Sequence, residues 1–468
     1  MRPRLPVVPA AIVVATAIVL PVFLTGALSV EIGSALHLDE ARLGLAVAAF
    51  FLAAAVSSAA FGHLVQRIGA IAQMRIALLM ASVCCAAISL LARVWWELPA
   101  ILVVGGLANA AGQPAANLLL ATEVPVERQG LAFGAKQAAI PLSTLLAGLA
   151  VPLVALTVGW RFAFAGAAVI ALTAIAVLPV SRGGHAGPSA GGPSHRSGSL
   201  LFRRRSHLVA GSHPGELAGI VASPGDEADI SRASLRASVR RGSTDADATS
   251  AAFHTRSVGR KSKELGTLVV LACAMALGSS AATSLGAFVV PACVAAGFRP
   301  GTAGLLAALG SVVGLSARLV AGVRADRRGG RHLRAVALML AAGSIGYLGL
   351  ALGSRAVDVA AVAVAFGAAW GWPGLFNLAI VRTHDHAPGW ATGVTQTGAY
   401  AGGVLGPFVF GTIVGHLSYG PAWLVDAGLA LAAVGGMLIG RRMLRSSRDR
   451  REDAPITATC SENNEAGQ

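Results

Sequence analysis

Long uninterrupted apolar runs are the feature that most limits how this chain can fold. The sequence contains apolar stretches of about 20 residues, and the stretch at residues 9 to 30 is one example. A helix of that length crosses the ~30 Å hydrocarbon core of a bilayer and satisfies its own backbone hydrogen bonds there. The runs do not alternate with polar residues, as the strands of a membrane barrel would. The sequence therefore predicts an all-α membrane protein.

Such runs predict twelve transmembrane helices. They lie at residues 9–30, 43–62, 74–92, 98–121, 130–153, 160–180, 265–290, 302–321, 335–353, 357–380, 391–415 and 421–440. The first run follows Arg2 and Arg4, which is also the pattern of a signal peptide. Because it is longer than a typical signal-peptide core and many runs follow it, we interpret it as an uncleaved helix.

The distribution of lysine and arginine predicts that both termini are cytosolic, since basic loops stay on the inner side of a membrane. The loops then assigned to the cytosol contain Arg67, Arg75, Arg128, the cluster at 322–334, Arg382 and the basic residues of 441–451. The other loops hold isolated basic residues beside acidic ones, such as Glu40 and Glu97. The predicted location is the cell membrane, with the protein as a monomer.

The basic excess indicates a lipid surface and not nucleic acid as the partner. The formal net charge of +15 is concentrated in the predicted cytosolic segments, which face anionic headgroups. Of the five cysteines, Cys84, Cys85 and Cys273 fall inside runs and Cys460 lies in the tail, so no disulfide framework is predicted. No catalytic triad, metal-spaced Cys/His set or phosphate-binding loop is recognisable. The sequence therefore predicts no enzyme, cofactor or metal.

The chain repeats itself at a spacing of 259 or 260 residues. Four positions have a counterpart 260 residues later: Gly62, Gln66, Arg67 and Gly69 correspond to Gly322, Asp326, Arg327 and Gly329. Two further matches are spaced by 259 residues. GAKQ at 134–137 corresponds to GVTQ at 393–396, and Gly-x-Pro at 112–114 corresponds to Gly-x-Pro at 371–373. These landmarks predict two homologous six-helix halves, residues 1–180 and 264–440.

The segment between the halves differs sharply in composition. Residues 181–263 are rich in Gly, Ser, Pro, Arg and His and have no apolar periodicity, which predicts a disordered cytosolic linker. A simple tether is the preferred interpretation. A regulatory segment with phosphorylation at Ser234 or Ser238 is the alternative. Residues 441–468 are predicted to be a cytosolic tail.

The motif G-x-x-x-D-R-x-G after the second and eighth runs, in a twelve-helix chain with a long middle segment, resembles the major facilitator superfamily. The resemblance covers everything except the middle segment and the tail. It implies the fold of that family and secondary transport of a small molecule by alternating access. The resemblance also implies proton coupling, which is common in the family, while uniport stays open.

The same motif implies a gate at the cytosolic face. The gate residues are Gly62, Gln66, Arg67, Gly69, Arg318, Gly322, Asp326, Arg327, Gly329 and Arg331. Gly322 would let two helices approach closely, and Asp326 would pair with a neighbouring helix end and with arginine. Gln66 replaces the acidic residue of the family pattern, which predicts a weaker latch in the first half. The alternative is a solvated loop that only fixes topology.

Polar side chains inside the runs are the candidates for substrate contact, because they are costly in lipid. Asn109, Gln113 and Asn117 recur every four residues along the fourth helix, where they either line a cavity or bond neighbouring helices. Ser279, Ser280, Thr283 and Ser284 form a hydroxyl cluster in the seventh helix that either lines the cavity or bonds its own backbone. Further candidates are Gln137, Gln396, Tyr400, Trp370, Trp372 and Asn377.

Lys136 is the only lysine within the twelve runs. Its ammonium group either snorkels to the cytosolic surface or faces a cavity, where it would suit a small carboxylate or another anion. For proton transfer the candidates are poor, because Glu31, His416 and Asp426 all lie toward the outer ends of helices.

We therefore predict a secondary active transporter of a small organic solute, with an anion as one possibility. A drug or metabolite efflux antiporter is the alternative. Its family signatures are only partly present, since Ala108 and Asn109 stand where such antiporters carry arginine, and Gly148 and Pro152 match their fifth-helix signature in part. A transporter-like membrane sensor is the third hypothesis.

Overall fold

The structure is a computed structural model that describes residues 6–178, 264–328, 332–384 and 388–452. Within these ranges the chain is helical, and twelve helices are long and apolar enough to cross a membrane. The predicted fold class, an all-α membrane protein with twelve transmembrane helices, is confirmed. The predicted linker, residues 181–263, lies outside the described residues.

The twelve spans are numbered here in chain order. They are α1 (Val7–Ala27), α2 (Glu40–Ile68), α3 (Ala70–Leu91), α4 (Glu97–Glu123), α5 (Ala132–Ala155), α6 (Trp160–Val177), α7 (Glu264–Ala295), α8 (Pro300–Arg324), α9 (His332–Ala351), α10 (Arg355–Thr383), α11 (Trp390–His416) and α12 (Tyr419–Ser446). A short helix, Ser29–Leu36, connects α1 to α2. The helix of α12 continues to Glu452, into the predicted tail.

Two spans are interrupted near their middle. In α5, the helix Val126–Gln137 ends one residue before the helix Ala139–Ala150, and a π-helical turn, Val151–Ala155, follows. The other, α10, consists of Arg355–Val364, a π-helical turn at Ala365–Ala369 and a separate helix, Pro373–Thr383. Such interruptions release backbone carbonyls from the helical ladder, and polar groups of neighbouring helices have to satisfy them.

Close packing of small residues joins the two halves, α1–α6 and α7–α12. A Cβ atom placed on Gly148 of α5 would lie 2.6 Å from the carbonyl oxygen of Gly304 in α8, and the reverse substitution meets the Gly148 oxygen at 2.6 Å. Gly44 of α2 is equally tight against Pro407 and Gly411 of α11. In lipid, where apolar helices gain little from leaving their solvent, such backbone approach is the main source of helix association.

The closest contacts between the halves lie toward one end of the bundle. We call the end with Arg67, Arg128 and Arg324 the basic end, and the end with Glu40 and Glu97 the opposite end. Contacts between α5 and α8 run from Pro152 with Gly301, through Gly148 with Gly304, to Gln137 with Arg318. Contacts between α2 and α11 run from Glu40 with Gly411 to Ser58 with Tyr400.

Beyond these last contacts, toward the basic end, glycines of α2, α5, α8 and α11 lie in open space. A Cβ atom on Gly62, Gly134, Gly322 or Gly393 would meet no heavy atom within 4 Å in the described part of the chain. The close approach predicted at Gly322 is therefore not present in this conformation and stays a prediction for a state closed at the basic end. The side chains of Asp326 and Arg327, together with Gly329 and Arg331, lie outside the described residues.

Two substitutions on one helix should separate close packing from helix propensity. Gly304→Ala adds a methyl group against a backbone oxygen, whereas Gly322→Ala adds it in open space, and both replace a helical glycine by alanine. We expect Gly304→Ala to lower the thermal unfolding temperature of the detergent-purified protein, because overpacking costs about 1–3 kcal/mol. Gly322→Ala should leave that temperature unchanged or raise it. Equal effects of the two variants would contradict the packing described here.

Candidate functional site

A buried lysine lies at the centre of a polar cluster between α4 and α5. Lys136 is 5% exposed, and its Nζ atom donates hydrogen bonds to Oε1 of Gln113 at 2.6 Å and to Oδ1 of Asn117 at 2.7 Å. The Nε2 atom of Gln113 donates in turn to Oδ1 of Asn109 at 3.3 Å. The stripe along α4 and the lysine of α5 therefore form one connected network.

Helix geometry explains how this network forms. Asn109, Gln113 and Asn117 are spaced four residues apart, so they lie on the same face of α4 over two turns. Because α5 passes this face, one ammonium group reaches the two C-terminal members of the stripe together. The snorkelling orientation of Lys136 is not what the structure shows.

The charge of this lysine has no ionic partner within the described residues. Its two acceptors are neutral amides, and no carboxylate of the described part of the chain forms an ion pair with it. An ammonium group has three protons to donate, and the network receives two of them. Burying a charge costs several kcal/mol unless a counter-charge compensates it. The arrangement therefore presents a cation to which a bound anion would add the missing charge and hydrogen-bond acceptor.

A second cation, Arg318 of α8, joins the two halves. Its Nη1 atom donates to the main-chain carbonyl of Gln137 in α5, while Nε and Nη2 donate to the carbonyl of Trp370 in α10 at 3.0 and 2.7 Å. No carboxylate of the described ranges pairs with this guanidinium. Arg318 was predicted as a gate residue, and its position at the last contact between α5 and α8 is consistent with that prediction.

Both carbonyls that Arg318 binds are released by helix breaks. In an unbroken helix the carbonyl of Gln137 would accept from the amide of residue 141, but Pro141 has no N–H. The carbonyl of Trp370 follows the π-helical turn of α10 and precedes the new helix at Pro373. Both carbonyls end a helical segment, where the helix dipole is negative and a cation is stabilised.

The seam between α2 and α11 ends in a related way. Tyr400 of α11 has Ser58 of α2 as its side-chain hydrogen-bond neighbour. Ser58 and Arg318 are 260 positions apart, the spacing that relates the two halves. Equivalent positions in α2 and α8 therefore supply the polar contact nearest the basic end. Ser58 contributes a hydroxyl between α2 and α11, and Arg318 contributes a guanidinium between α5 and α8.

The remaining candidates for substrate contact are not part of the hydrogen-bond network of Lys136. Ser280 and Ser284 are buried and donate to the carbonyls of Ala276 and Ser280 in their own helix, each at 3.0 Å. Trp370 is 4% exposed and packs edge-on against Phe23 and Phe366. Asn377 is half-buried, Gln396 is exposed, and Gln137 contributes its carbonyl oxygen to the described contacts. Trp372 is fully buried in the core of the second half.

The gate residues of the first half face outward at the basic end. Gln66 and Arg67 are exposed, and Gly69 has φ +84°, a conformation that favours glycine and turns the chain from α2 into α3. Sequence reasoning missed Gln73, which is fully buried and donates to the carbonyls of Phe61 and Ala111 at 3.0 and 2.9 Å. Its position four residues after Gly69, directly before the third apolar run, was the available signal.

Sequence reasoning also missed a buried hydroxyl pair between the halves. Thr144 of α5 and Ser311 of α8 lie 2.8 Å apart, and Ser143 donates to the carbonyl of Thr16 in α1 at 3.0 Å. Serine and threonine commonly bond their own helix, so nothing in the sequence singles out these positions.

The three acid–base candidates differ in their surroundings. His416 is exposed at the end of α11. Both carboxylate oxygens of Glu31, in the short helix outside the spans, are buried without a hydrogen-bond partner among the described residues, and burial raises the pKa of this carboxyl group. Asp426 is 2% exposed within α12. Among the described residues no cluster of metal-binding side chains is found.

Comparison with known proteins identifies the fold. The chain is similar to a D-xylose-proton symporter with 14% identity and a TM-score of 0.63, over 92% of this chain and 96% of that chain. A structure of the xylose transporter XylE from E. coli in an inward-open conformation gives 14% identity and a TM-score of 0.63, over 92% and 94%. A structure of proton-dependent oligopeptide transporters gives 16% identity and 0.61, over 95% and 99%.

No curated protein matches the chain. The family model for the Major Facilitator Superfamily matches residues 10–407. That match covers most of the chain and extends from α1 into α11. The motif after the second and eighth helices, the twelve spans and the family match agree, and this multi-pass membrane protein belongs to the major facilitator superfamily of transporters.

Proposed function

We propose that this transporter carries a small organic anion, of the carboxylate class, by alternating access. The observation that carries this proposal is the buried ammonium group of Lys136, bound by the amide oxygens of Gln113 and Asn117 and by no carboxylate of the described chain. A carboxylate substrate would bind the third ammonium proton and neutralise the buried charge. Amide N–H groups of the same stripe would orient it.

Arg318 supports the same proposal from the other half. It lies at the inner limit of the α5–α8 seam and is bound by two carbonyls that it can exchange for a stronger, charged acceptor. An anion that reached both Lys136 and Arg318 would draw α5, α8 and α10 together. Substrate binding would then favour closure of the basic end, as alternating access requires.

The position of the membrane and the direction of transport belong to the proposal. We place the basic end in the cytosol of the cell membrane, as the distribution of arginine predicts. The open space beside Gly62, Gly134, Gly322 and Gly393 then makes this conformation open to the cytosol. Anionic headgroups would contact the exposed arginines of that end.

Removing the charge of Lys136 should weaken anion binding. We expect acetate, lactate, succinate or benzoate to raise the unfolding temperature of the purified protein, because a ligand at ~100 times its Kd stabilises the folded state by about 2.7 kcal/mol. Lys136→Met should weaken binding roughly 10- to 100-fold, because a charge-assisted hydrogen bond contributes about 1.5–3 kcal/mol. Arg128→Met, which changes an exposed arginine on the same helix, is the control.

The measurement is a thermal-shift titration of parent and variants. Carboxylate shifts that survive in Lys136→Met would contradict a role for this lysine in binding. Shifts with lipophilic cations alone, equal in both proteins, would instead support the drug-efflux alternative.

Supplying a resident carboxylate should stabilise the ligand-free protein and weaken the binding of carboxylates. Asn117→Asp is nearly isosteric and places a carboxylate oxygen where the amide oxygen now accepts from Lys136 at 2.7 Å. We expect a higher unfolding temperature without ligand and a smaller carboxylate-induced shift, since the built-in ion pair competes with the substrate. Asn377→Asp, at a half-buried position in the other half, is the matched control and should not stabilise the protein. The idea fails if Asn117→Asp binds carboxylates as tightly as the parent does.

A further inference from the structure

Asp426 of α12 lies in a closed apolar environment with two hydroxyl groups as neighbours. Its side chain is 2% exposed, and the Oδ2 atom has no hydrogen-bond partner among the described residues. Ser284 of α7 is the hydrogen-bonding neighbour of its carboxyl group. Tyr347 of α9 is fully buried, lies close enough to interact with the charge of Asp426, and its hydroxyl also lacks a partner in the described chain.

The groups that face Asp426 from the helices around it include no cation. From α9 comes the phenol of Tyr347, whose ring stacks on Trp423 at 6.0 Å between centroids. From α7 comes the hydroxyl of Ser284, and from α11 comes Phe410, whose ring lies 4.5 Å from that of Trp423. Within the described residues no lysine or arginine forms an ion pair with Asp426. The phenol is thus the only other titratable group facing the carboxyl there.

The first half carries apolar residues at the positions equivalent to Asp426 and Tyr347. At the spacing of 259, Asp426 corresponds to Ala167, Tyr347 to Ile88 and Trp423 to Phe164. The register is supported by burial, since the buried positions of α6 and α12 coincide: Ala163, Phe164, Ala167, Ala168, Ala171 and Ala174 match Ala422, Trp423, Asp426, Ala427, Ala430 and Ala433. The same helix interface is therefore built once without a carboxyl group or a phenol, so the fold does not require Asp426 or Tyr347.

The ionised and the protonated form of Asp426 need different neighbouring groups. The ionised form, buried without a cation, costs several kcal/mol. The protonated form is neutral and donates a hydrogen bond to Ser284 while it accepts one from Tyr347. A carboxyl group that the fold does not need, placed among hydroxyls and without a counter-ion, is suited to hold a proton reversibly.

We propose that Asp426, with Tyr347 and Ser284, is a proton-binding site in the second half of the transporter. Loading forms an O–H bond between the carboxylate and one proton taken from water, and unloading returns that proton to water, with no other bond changed. The ligand of the site is the proton itself, and the site is separate from the Lys136 network.

Helix α7 connects this site to the movement of the halves. Ser284 lies on α7, and two residues further Gly286 packs against Phe23 of α1, while Ala287 packs against Gly26. The hydroxyl of Ser284 donates to the carbonyl of Ser280 at 3.0 Å, and an ionised Asp426 would compete for that proton. The protonation state of Asp426 thus acts on the helix that contacts the first half. This coupling step rests on the proposed anion transport.

Infrared spectroscopy tests the proton site without any substrate. The detergent-purified full chain is titrated from mildly acidic to mildly alkaline pH, and the carbonyl band of protonated carboxylic acids is recorded in H₂O and D₂O. We expect a band that Asp426→Asn removes and that Asp358→Asn, the matched change at another buried aspartate with an unpartnered oxygen, leaves in place. A spectrum in which Asp426→Asn removes no band overturns the proposal.

Two further variants keep the test decisive if Asp426→Asn does not fold. Asp426→Ala introduces the residue that the first half carries at this position, and it should remove the same band. Tyr347→Phe retains the carboxyl group but removes its neighbouring hydroxyl, so the band should persist at a shifted frequency. A band that Tyr347→Phe leaves unshifted contradicts the proposed site.

Proteoliposomes test the coupling of this site to transport. The probe is a labelled carboxylate from the panel above, chosen for the largest Lys136-dependent thermal shift. We expect Asp426→Asn to retain exchange of this anion between equal concentrations but to lose its accumulation against a gradient when a pH difference is imposed. Accumulation equal to that of the parent contradicts coupling through Asp426. A parent that exchanges no carboxylate contradicts the proposed function, whereas the infrared result on the proton site does not depend on it.

Discussion

Within the hydrocarbon core of a bilayer there is no water to satisfy polar groups, so each one requires a partner inside the protein. This constraint explains the helices themselves and also the exceptions within them. Where Pro141 removes an amide from α5, the carbonyl of Gln137 receives the guanidinium of Arg318. Where Lys136 carries a charge into the bundle, three side chains of α4 form the network around it. The polar chemistry of the molecule is concentrated at these few positions, because every additional one would cost stability.

The two halves build the same scaffold and differ where chemistry is placed. Positions related by the repeat hold Ser58 and Arg318 at the ends of the two seams, and Ala167 and Asp426 in the last helix of each half. In each pair the second half carries the ionisable residue. The first half carries Lys136, and its repeat partner in α11 is Thr395, which bonds its own backbone. The Lys136 network and the buried carboxyl group of Asp426 therefore lie in different halves. When the halves move relative to each other, water and solutes can gain access to one of these sites without gaining access to the other.

Glycine determines which end of the bundle is closed. At the opposite end, four glycines let the backbones of the two halves come into contact, where larger side chains would hold them apart. These glycines are Gly44, Gly148, Gly304 and Gly411. Glycines of similar spacing at the basic end, Gly62 and Gly322, have no neighbour in this conformation. In this structure the glycines at the opposite end are in contact and those at the basic end are not. The alternating access proposed for this transporter requires a second contact surface, which would close the basic end when the opposite end opens.

The sequence by itself determined the class of the protein. Apolar runs of membrane-spanning length, the repeat and the motif after the second and eighth helices predicted twelve helices in two halves, because hydrophobic length and local motifs are properties of the chain read in order. It also identified the stripe of α4 and singled out Lys136. It left open whether this lysine snorkels or turns inward, since that choice depends on which helix lies beside α5. Only the tertiary structure decided it, by placing Gln113 and Asn117 within reach of the ammonium group. The same holds for Arg318 and Gln137, which are 181 positions apart, and for Tyr347 and Asp426, whose neighbourhood exists only after α9 and α12 have packed. Contacts between residues so distant in sequence are set by helix packing, which no local pattern records.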